Sequence, residues 1–248
     1  MTGSPLEPAI VKPIRNKYTP DIGSVAAMVA TRPDIGMLRG MSSTGDEISR
    51  NLFTGKVYIA AGASSRFSMT GPLVGAPYAA MILETLIAWG ARQFIFWGWC
   101  GAVSPEACIG DIILPSAAMI DEGTSRHYLA TREEISRPSR AMTARIRGVL
   151  NTKDANWKEG LIWTTDGVFR ETRKKVIYYQ SRGVLAVEME MSALFTVAAF
   201  HHVDIGGILV VSDDVSGLTW EPGFKSERFE AGRVAAGEAV QAVLKELS

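Results

Sequence analysis

The chain has 248 residues, of which 47% are hydrophobic, and this suits one α/β domain or two small ones with a buried core. Its 26 Lys and Arg residues balance its 26 Asp and Glu residues, so the formal net charge is zero. A balanced chain lacks the basic surplus expected of a protein that binds nucleic acid or an anionic membrane.

Residues 1–20 are rich in proline and basic residues and are predicted to form an extended arm that lies along the body or a neighbouring subunit. They contain no apolar region of the kind found in a secretory signal, and no later apolar run is long enough to span a bilayer. We therefore expect a cytoplasmic protein with one domain over residues 21–248.

Short apolar runs alternate with helical patterns along this domain. The predicted strands cover residues 25–30, 57–61, 94–99, 112–114, 161–165, 184–187 and 207–211. The predicted helices cover residues 76–89, 137–150, 171–182, 188–200 and 227–247. This alternation predicts an α/β fold: a single domain with a central mixed, largely parallel β-sheet flanked by helices. Ligands of such sheets bind at the carboxyl ends of the strands.

Two segments place carboxylates where a strand meets the next element. The apolar strand at 207–211 runs directly into Ser212, Asp213 and Asp214, which suit either a site or a turn. Glu188 and Glu190 open a helical pattern, where carboxylates favour the helix dipole. Glu190 lies between two methionines, and a buried carboxylate there needs partners, which two sugar hydroxyls would supply.

The remaining motifs are weaker. Gly71 and Gly75 precede a long apolar helix and would let backbone amides approach an anion, although a plain turn explains them as well. Cys100 and Cys108 form no CxxC pair and have no metal-ligand partners nearby, so reduced thiols and no metal site are expected.

Together these segments resemble the family of hexameric purine nucleoside phosphorylases, uridine phosphorylases and methylthioadenosine/adenosylhomocysteine nucleosidases. The matching pieces follow the family order: GPLVGAPYAAMILETLI, WGWCGAVSPEACIGDIILP with IDEGTSRHY, WTTDGVF, VLAVEMEMSALFTVA and VVSDD. The most specific is VEME followed at this distance by SD.

The resemblance implies a role for each matching position. Glu190 would bind the ribose 2′- and 3′-hydroxyls, with Met189 packed against the sugar, and Asp213 would be the general acid toward a purine-type base. Arg228 roughly matches an arginine that approaches this aspartate in purine-specific members. The residues implied around the base are Ser212, Val168, Phe169 and Trp163.

The expected phosphate contacts depart from the family pattern. Phe96 stands where the phosphorylases have an arginine, and Trp99 stands where a serine or threonine follows the glycine. The early GDPxR-type loop is replaced by VATRPDIGMLRG. The candidate replacements are Arg39, Arg50 and the backbone at Gly71, with Arg32 and Arg66 as further basic residues, some of which would serve a neighbouring subunit.

The resemblance therefore implies cleavage of the N-glycosidic bond of a nucleoside. Phosphorolysis of a purine-type nucleoside to free base and ribose 1-phosphate is the first expectation, with inorganic phosphate as co-substrate and no other cofactor. Hydrolysis by water and a non-catalytic nucleoside-binding relative are the alternatives. A homo-oligomer, dimer or hexamer, is also expected, with no nucleic-acid or membrane partner.

Overall fold

The computed structural model describes residues 7–42, 47–61, 66–129 and 133–248. Its strands are β1 (Val25–Val29), β2 (Glu47–Leu52), β3 (Gly55–Ala61), β4 (Arg66–Gly71), β5 (Gln93–Ala102), β6 (Ile112–Asp121), β7 (Ile135–Ser136), β8 (Trp157–Thr165), β9 (Val184–Glu188), β10 (Asp204–Asp214) and β11 (Glu221–Pro222). Its α-helices are α1 (Arg32–Met41), α2 (Ala76–Trp89), α3 (Arg140–Leu150), α4 (Arg173–Ser181), α5 (Met191–Phe200) and α6 (Glu227–Leu247).

The strands form one mixed sheet, part of which closes on itself. β10 pairs with β5 along most of its length and with β6 near its middle, so that β10, β6, β8, β9 and β5 make a closed circuit. Strands β1, β4, β3 and β2 continue the sheet beyond β5. β1, β5 and β10 are mutually parallel, so their carboxyl ends meet at the same edge.

Side chains of β5 alternate between two apolar layers because successive residues of a strand point to opposite faces. Phe94 and Phe96 pack with helices α2 and α5, whereas Ile95 and Trp97 pack with α1, α3 and α6. All four aromatic and aliphatic side chains are buried. This two-sided covering confirms the predicted α/β domain with a mixed sheet flanked by helices.

Three helices begin later than the sequence predicts. Helix α4 begins two residues later than predicted because the hydroxyl of Thr172 accepts a hydrogen bond from the N–H of Lys175. Helix α3 begins at Arg140, after Pro138 and Ser139. Glu188, predicted to lie in a helix, is the last residue of β9, and α5 begins only at Met191.

The described part of the predicted arm, residues 7–20, contains no helix or strand and is mostly exposed. It runs past the end of α2, where the indole N–H of Trp89 donates to the carbonyl of Ile14 at 3.0 Å. Residues 1–6 lie outside the described ranges. None of the helices in those ranges has the length and apolar character needed to cross a membrane.

Candidate active site

A cavity of about 580 Å³ opens at the edge where β1, β5 and β10 end. The carboxyl end of each strand contributes one residue to the cavity wall. Thr31 follows β1, Gly101 lies near the end of β5, and Asp213 lies near the end of β10. Four carboxyl groups line the wall: Glu171, Glu188, Glu190 and Asp213. Apolar side chains form most of the remainder, and those that reach furthest into solvent are Val74, Phe169 and Trp220.

A backbone hydrogen bond from a glycine holds Glu190 in this cavity. Its Oε1 atom accepts a hydrogen bond from the N–H of Gly75 at 2.5 Å. It occupies the position just before α5 but makes no side-chain cap to that helix. Burial, followed by the nearby charge of Glu188, raises the pKa of Glu190. The Glu190 carboxyl is therefore available to accept further hydrogen bonds from a ligand.

Glu188 has a different role, although both acids face the cavity. One of its oxygens accepts the N–H groups of Glu190 and Met191 at 2.6 and 2.8 Å, and the other accepts the hydroxyl of Thr164. Glu188 thus satisfies the first free amides of α5 from outside the helix. The helix-capping role that the sequence left open for both acids belongs to Glu188.

A β-bulge places Asp213 in the cavity. Val211 lies opposite Cys100 and Asp213 lies opposite Gly101, so Ser212 is an extra residue in β10. A Cβ atom added to Gly101 would lie 3.2 Å from Oδ2 of Asp213, so this glycine leaves room for the carboxylate. The neighbouring Asp214 instead accepts the N–H of Ser216 at 2.6 Å.

Both oxygens of Asp213 accept hydrogen bonds from side chains. The hydroxyl of Ser212 donates to Oδ1 at 2.6 Å, and the indole N–H of Trp220 donates to Oδ2 at 2.8 Å. The Trp220 ring lies 6.3 Å from that of Phe224, which also lines the cavity. Asp213 is thus oriented at the mouth of the cavity beside an aromatic surface suited to a planar ligand.

Six of the residues implied by the resemblance meet in this cavity: Met189, Glu190, Val168, Phe169, Ser212 and Asp213. Val168 and Phe169 form a short 3₁₀ turn after β8 and are exposed at its rim. Their roles toward a ligand stay predictions, but their common location is the one that the resemblance requires.

Two residues expected beside the base lie elsewhere. Trp163 is fully buried, stacks on Tyr179 at a ring distance of 4.1 Å and donates its N–H to Asp121, so it cannot stack on a base. Arg228 is exposed at the start of α6, where its guanidinium lies 3.6 Å from the carboxylate of Asp111. It does not line the cavity.

The proposed replacements for the phosphate contacts also lie outside the cavity wall. Arg39 pairs with Glu47 at 2.5 Å, and Arg50 donates to the carbonyl of Ser49 on the exposed strand β2. Gly71 is needed for packing, because a Cβ atom there would lie 2.4 Å from the carbonyl oxygen of Val29. Arg66 pairs with Asp21, and Arg32 is exposed.

Trp99 fills the part of the wall where the resemblance implied a serine or threonine. Its indole N–H donates at 2.6 Å to Asp34, which is fully buried. Asp34 also accepts the hydroxyl of Thr31 at 2.7 Å and pairs with the buried Arg233 at 2.7 Å. The Trp99 ring packs edge-on against Phe229 at 5.0 Å. The Trp99 side chain is therefore fixed by its hydrogen bond to Asp34 and by its packing against Phe229.

Three further residues of the cavity wall lie outside the motifs of the sequence. The helical pattern predicts Glu171 at the start of a helix, and Trp220 and Phe224 lie after β10 in a segment without a motif. An acid two positions after Phe169, and two aromatic residues soon after the SDD segment, are the signals that could have identified them. Within the described ranges, no group of three or more His, Cys, Asp or Glu residues is placed to hold a metal ion.

Comparison with known proteins shows the family of the chain. The model of the Phosphorylase superfamily matches residues 20–248, and the chain belongs to that family. The purine nucleoside phosphorylase DeoD-type 1 of Shewanella oneidensis is 29% identical over 164 residues, which are 66% of this chain and 67% of that protein. The DeoD-type purine nucleoside phosphorylase of Bacillus cereus (strain B4264) is 31% identical over 157 residues, 60% of this chain and 64% of that one.

The fold has a close structural counterpart. The crystal structure of uridine phosphorylase from Vibrio fischeri ES114 superimposes with a TM-score of 0.78 over 91% of this chain and 93% of that chain, at 19% sequence identity. At this identity the likeness concerns the fold alone. The alignments to several curated relatives span less than two thirds of their length.

Proposed function

We propose that this protein cleaves the N-glycosidic bond of a purine-type nucleoside, with inorganic phosphate as the nucleophile. The observation that carries the proposal is that Glu190, Met189 and Asp213 line one cavity with an aromatic rim. Glu190 would accept hydrogen bonds from the ribose hydroxyls as the sugar gains oxocarbenium character, and Met189 would pack against the ring. The phosphorylase names of the relatives support phosphate as the second substrate.

In the same cavity, Asp213 would act on the leaving base. Protonation of a ring nitrogen makes the base a better leaving group, because the electron pair of the broken bond then remains on a neutral molecule. The orientation of Asp213 by Ser212 and Trp220 supports a direct contact with the base.

Hydrolysis is the second candidate, and one observation favours it. Among the described residues that line the cavity, none is a lysine or an arginine. A phosphate dianion needs strong cationic or amide donors, whereas Trp99 and the carboxylate of Asp34 beneath it offer no such contact. Water as the nucleophile requires no cationic site. A nucleosidase could therefore use the same contacts, Asp213 to the base and Glu190 to the ribose.

The two candidates differ in their need for phosphate. Purified protein is incubated with a panel of purine and pyrimidine nucleosides, with and without phosphate, while free base and ribose 1-phosphate are measured. Phosphorolysis predicts purine release that depends on phosphate and yields ribose 1-phosphate. Release at an unchanged rate without phosphate, with free ribose as product, would overturn it in favour of hydrolysis. No release from any nucleoside would leave a nucleoside-binding relative.

A further inference from the structure

Thr164 is a fully buried residue of β8 to which the proposed function gives no role. It lies opposite Glu188 in the parallel pairing of β8 with β9. Its hydroxyl donates to one carboxylate oxygen of Glu188 and accepts the N–H of Ser192 at 2.9 Å. Thr164 does not line the cavity, so its effect on a ligand must pass through its neighbours.

Side chains from the preceding strands bind the N–H groups at the start of α5. Glu188 accepts those of Glu190 and Met191 at 2.6 and 2.8 Å, and Thr164 accepts that of Ser192. A helix usually relies here on its N-cap residue, whose side chain accepts the N–H of the second or third helical residue. Glu190 is the N-cap residue of α5, yet its side chain makes no such bond to the helix.

The N–H of Ser192 is a donor that the Glu190 side chain could otherwise bind, because Ser192 is the second residue of α5. The Glu190 carboxyl group is buried and accepts the N–H of Gly75 at 2.5 Å. A buried carboxylate gains from each further donor, and a free amide at a helix N-terminus attracts negative charge. By occupying the Ser192 amide, Thr164 withdraws this competing partner from Glu190.

A second buried acid keeps Ser192 itself in place. The Ser192 hydroxyl donates to Glu122 at 3.0 Å. Glu122 is 3% exposed and also accepts the N–H groups of Thr124 and Ser125 at 2.5 and 3.1 Å. The start of α5 is therefore fixed from two elements, by β8 through Thr164 and by the segment after β6 through Glu122.

We propose that Thr164 is a positioning residue for the ribose contact: by holding the Ser192 amide, its hydroxyl keeps the Glu190 carboxyl group free for the 2′- and 3′-hydroxyls of a nucleoside. Thr164 touches no ligand and acts on ribose recognition through Glu190. This inference rests on the proposed function, which assigns the ribose to Glu190. A hydroxyl group outside the cavity thus determines how strongly the protein prefers ribosides to 2′,3′-dideoxyribosides.

The test compares nucleoside binding by two variants of Thr164. Thr164→Val keeps the shape of the side chain but has no hydroxyl, whereas Thr164→Ser keeps the hydroxyl. The ligands are adenosine and inosine, each beside its 2′,3′-dideoxy counterpart. Stopped-flow quenching of tryptophan fluorescence, recorded without phosphate, reports binding before cleavage, since Trp99 and Trp220 line the cavity.

The expected readout is the ratio of the two Kd values. The parent protein should bind ribosides about 10–100-fold more tightly than dideoxyribosides, as for hydrogen bonds to a charged group. Thr164→Val should lower this preference by about tenfold, because Glu190 then turns toward the free Ser192 amide. Thr164→Ser should retain the preference of the parent.

Ser136→Ala is the matched control for a general loosening of α5. The Ser136 hydroxyl is also buried and also bonds to Ser192, but it donates to the carbonyl oxygen at 3.0 Å. That oxygen keeps the hydroxyl of Thr196 as a donor, and no amide is freed. The control should therefore keep the parent preference. An equal loss of preference in Ser136→Ala and Thr164→Val would refute the inference.

Thr164→Cys keeps the test decisive if Thr164→Val does not fold. A thiol is a weak donor and a weak acceptor, so the preference for ribosides should fall between that of Thr164→Ser and that of a variant at position 164 without any donor. A preference as strong in Thr164→Cys as in Thr164→Ser would refute the inference.

The binding ratio separates this inference from the proposed function. A preference that is lost in Thr164→Val and kept in Thr164→Ser supports the positioning role even if no nucleoside is cleaved. Cleavage of nucleosides together with an unchanged preference in Thr164→Val would contradict the inference and leave the proposed function intact. Equal binding of ribosides and dideoxyribosides by the parent protein would also overturn it, because Glu190 would then not hold the ribose.

Discussion

The indole N–H of Trp99 and the guanidinium of Arg233 bind the same buried carboxylate, that of Asp34. A carboxylate without solvent needs such donors, and an arginine pair alone leaves lone pairs unfilled. Trp99 completes the set and at the same time forms the cavity wall. Trp99, which departs from the phosphorylase pattern, is thus tied to the core between β5 and α6.

Trp99→Phe should destabilise the protein while keeping an aromatic wall. It removes one donor from a buried charge, for which a loss of about 1–3 kcal/mol is expected. Urea denaturation followed by circular dichroism measures the change. Trp220→Phe is the matched control, because its indole also donates to a carboxylate but is 60% exposed. Equal stability of the two variants would mean that the Trp99 contact contributes nothing to the fold.

Asp213→Asn should lower kcat on purine nucleosides by ~10² or more, as for the loss of a general acid. The neighbouring Asp214→Asn provides the control, because Asp214 binds the N–H of Ser216 and lies outside the cavity wall. Steady-state kinetics with adenosine measures both. Unchanged turnover in Asp213→Asn would remove this residue from the mechanism.

Glu190→Gln should weaken the transition-state contact to the ribose hydroxyls. The loss in kcat/KM should be about 10–100-fold, as for a hydrogen bond to a charged group. It should be much smaller with 2′,3′-dideoxyribosides, which have no hydroxyls to bind. Parent protein that cleaves ribosides and dideoxyribosides equally well would contradict the assigned role.

Glu188→Leu should affect stability more than Glu190→Gln does. Leucine leaves the N–H groups of Glu190 and Met191 and the hydroxyl of Thr164 without their acceptor. A loss of about 1–3 kcal/mol is expected for each buried group left unpaired. Thermal unfolding compares the two variants. Similar melting temperatures would show that Glu188 does not support α5.

Continuous apolar runs in the sequence predicted most strands of the sheet. The run at 94–99 predicted β5 correctly because both faces of that strand are buried. The VEME and SDD segments pointed to Glu190 and Asp213, and both residues line the cavity. Helix α1 was missed because its sequence mixes Arg32, Pro33 and Gly36 with few apolar residues. Its start depends on Thr31, whose side chain accepts the N–H of Asp34.

Errors at the site came from residues whose environment depends on the tertiary fold. Trp163 follows the base-binding pattern in sequence, but the approach of α4 covers it with Tyr179. Glu171 looks like an ordinary acid before a helix, and the nearby end of β10 brings the charge of Asp213 close to it. The spacing of residues in the sequence predicts neither the burial of Trp163 nor the charge near Glu171, because each depends on an element that is distant in the chain.

The β-bulge at Ser212 decides which side chain of β10 faces the cavity. In a strand that stayed regular to its end, Ser212 would lie opposite Gly101, and Asp213 would turn to the other face of the sheet. A base in the cavity would then meet a hydroxyl group, which cannot protonate it near neutral pH. Backbone register alone thus decides whether a carboxyl group or a hydroxyl group faces the cavity at this position.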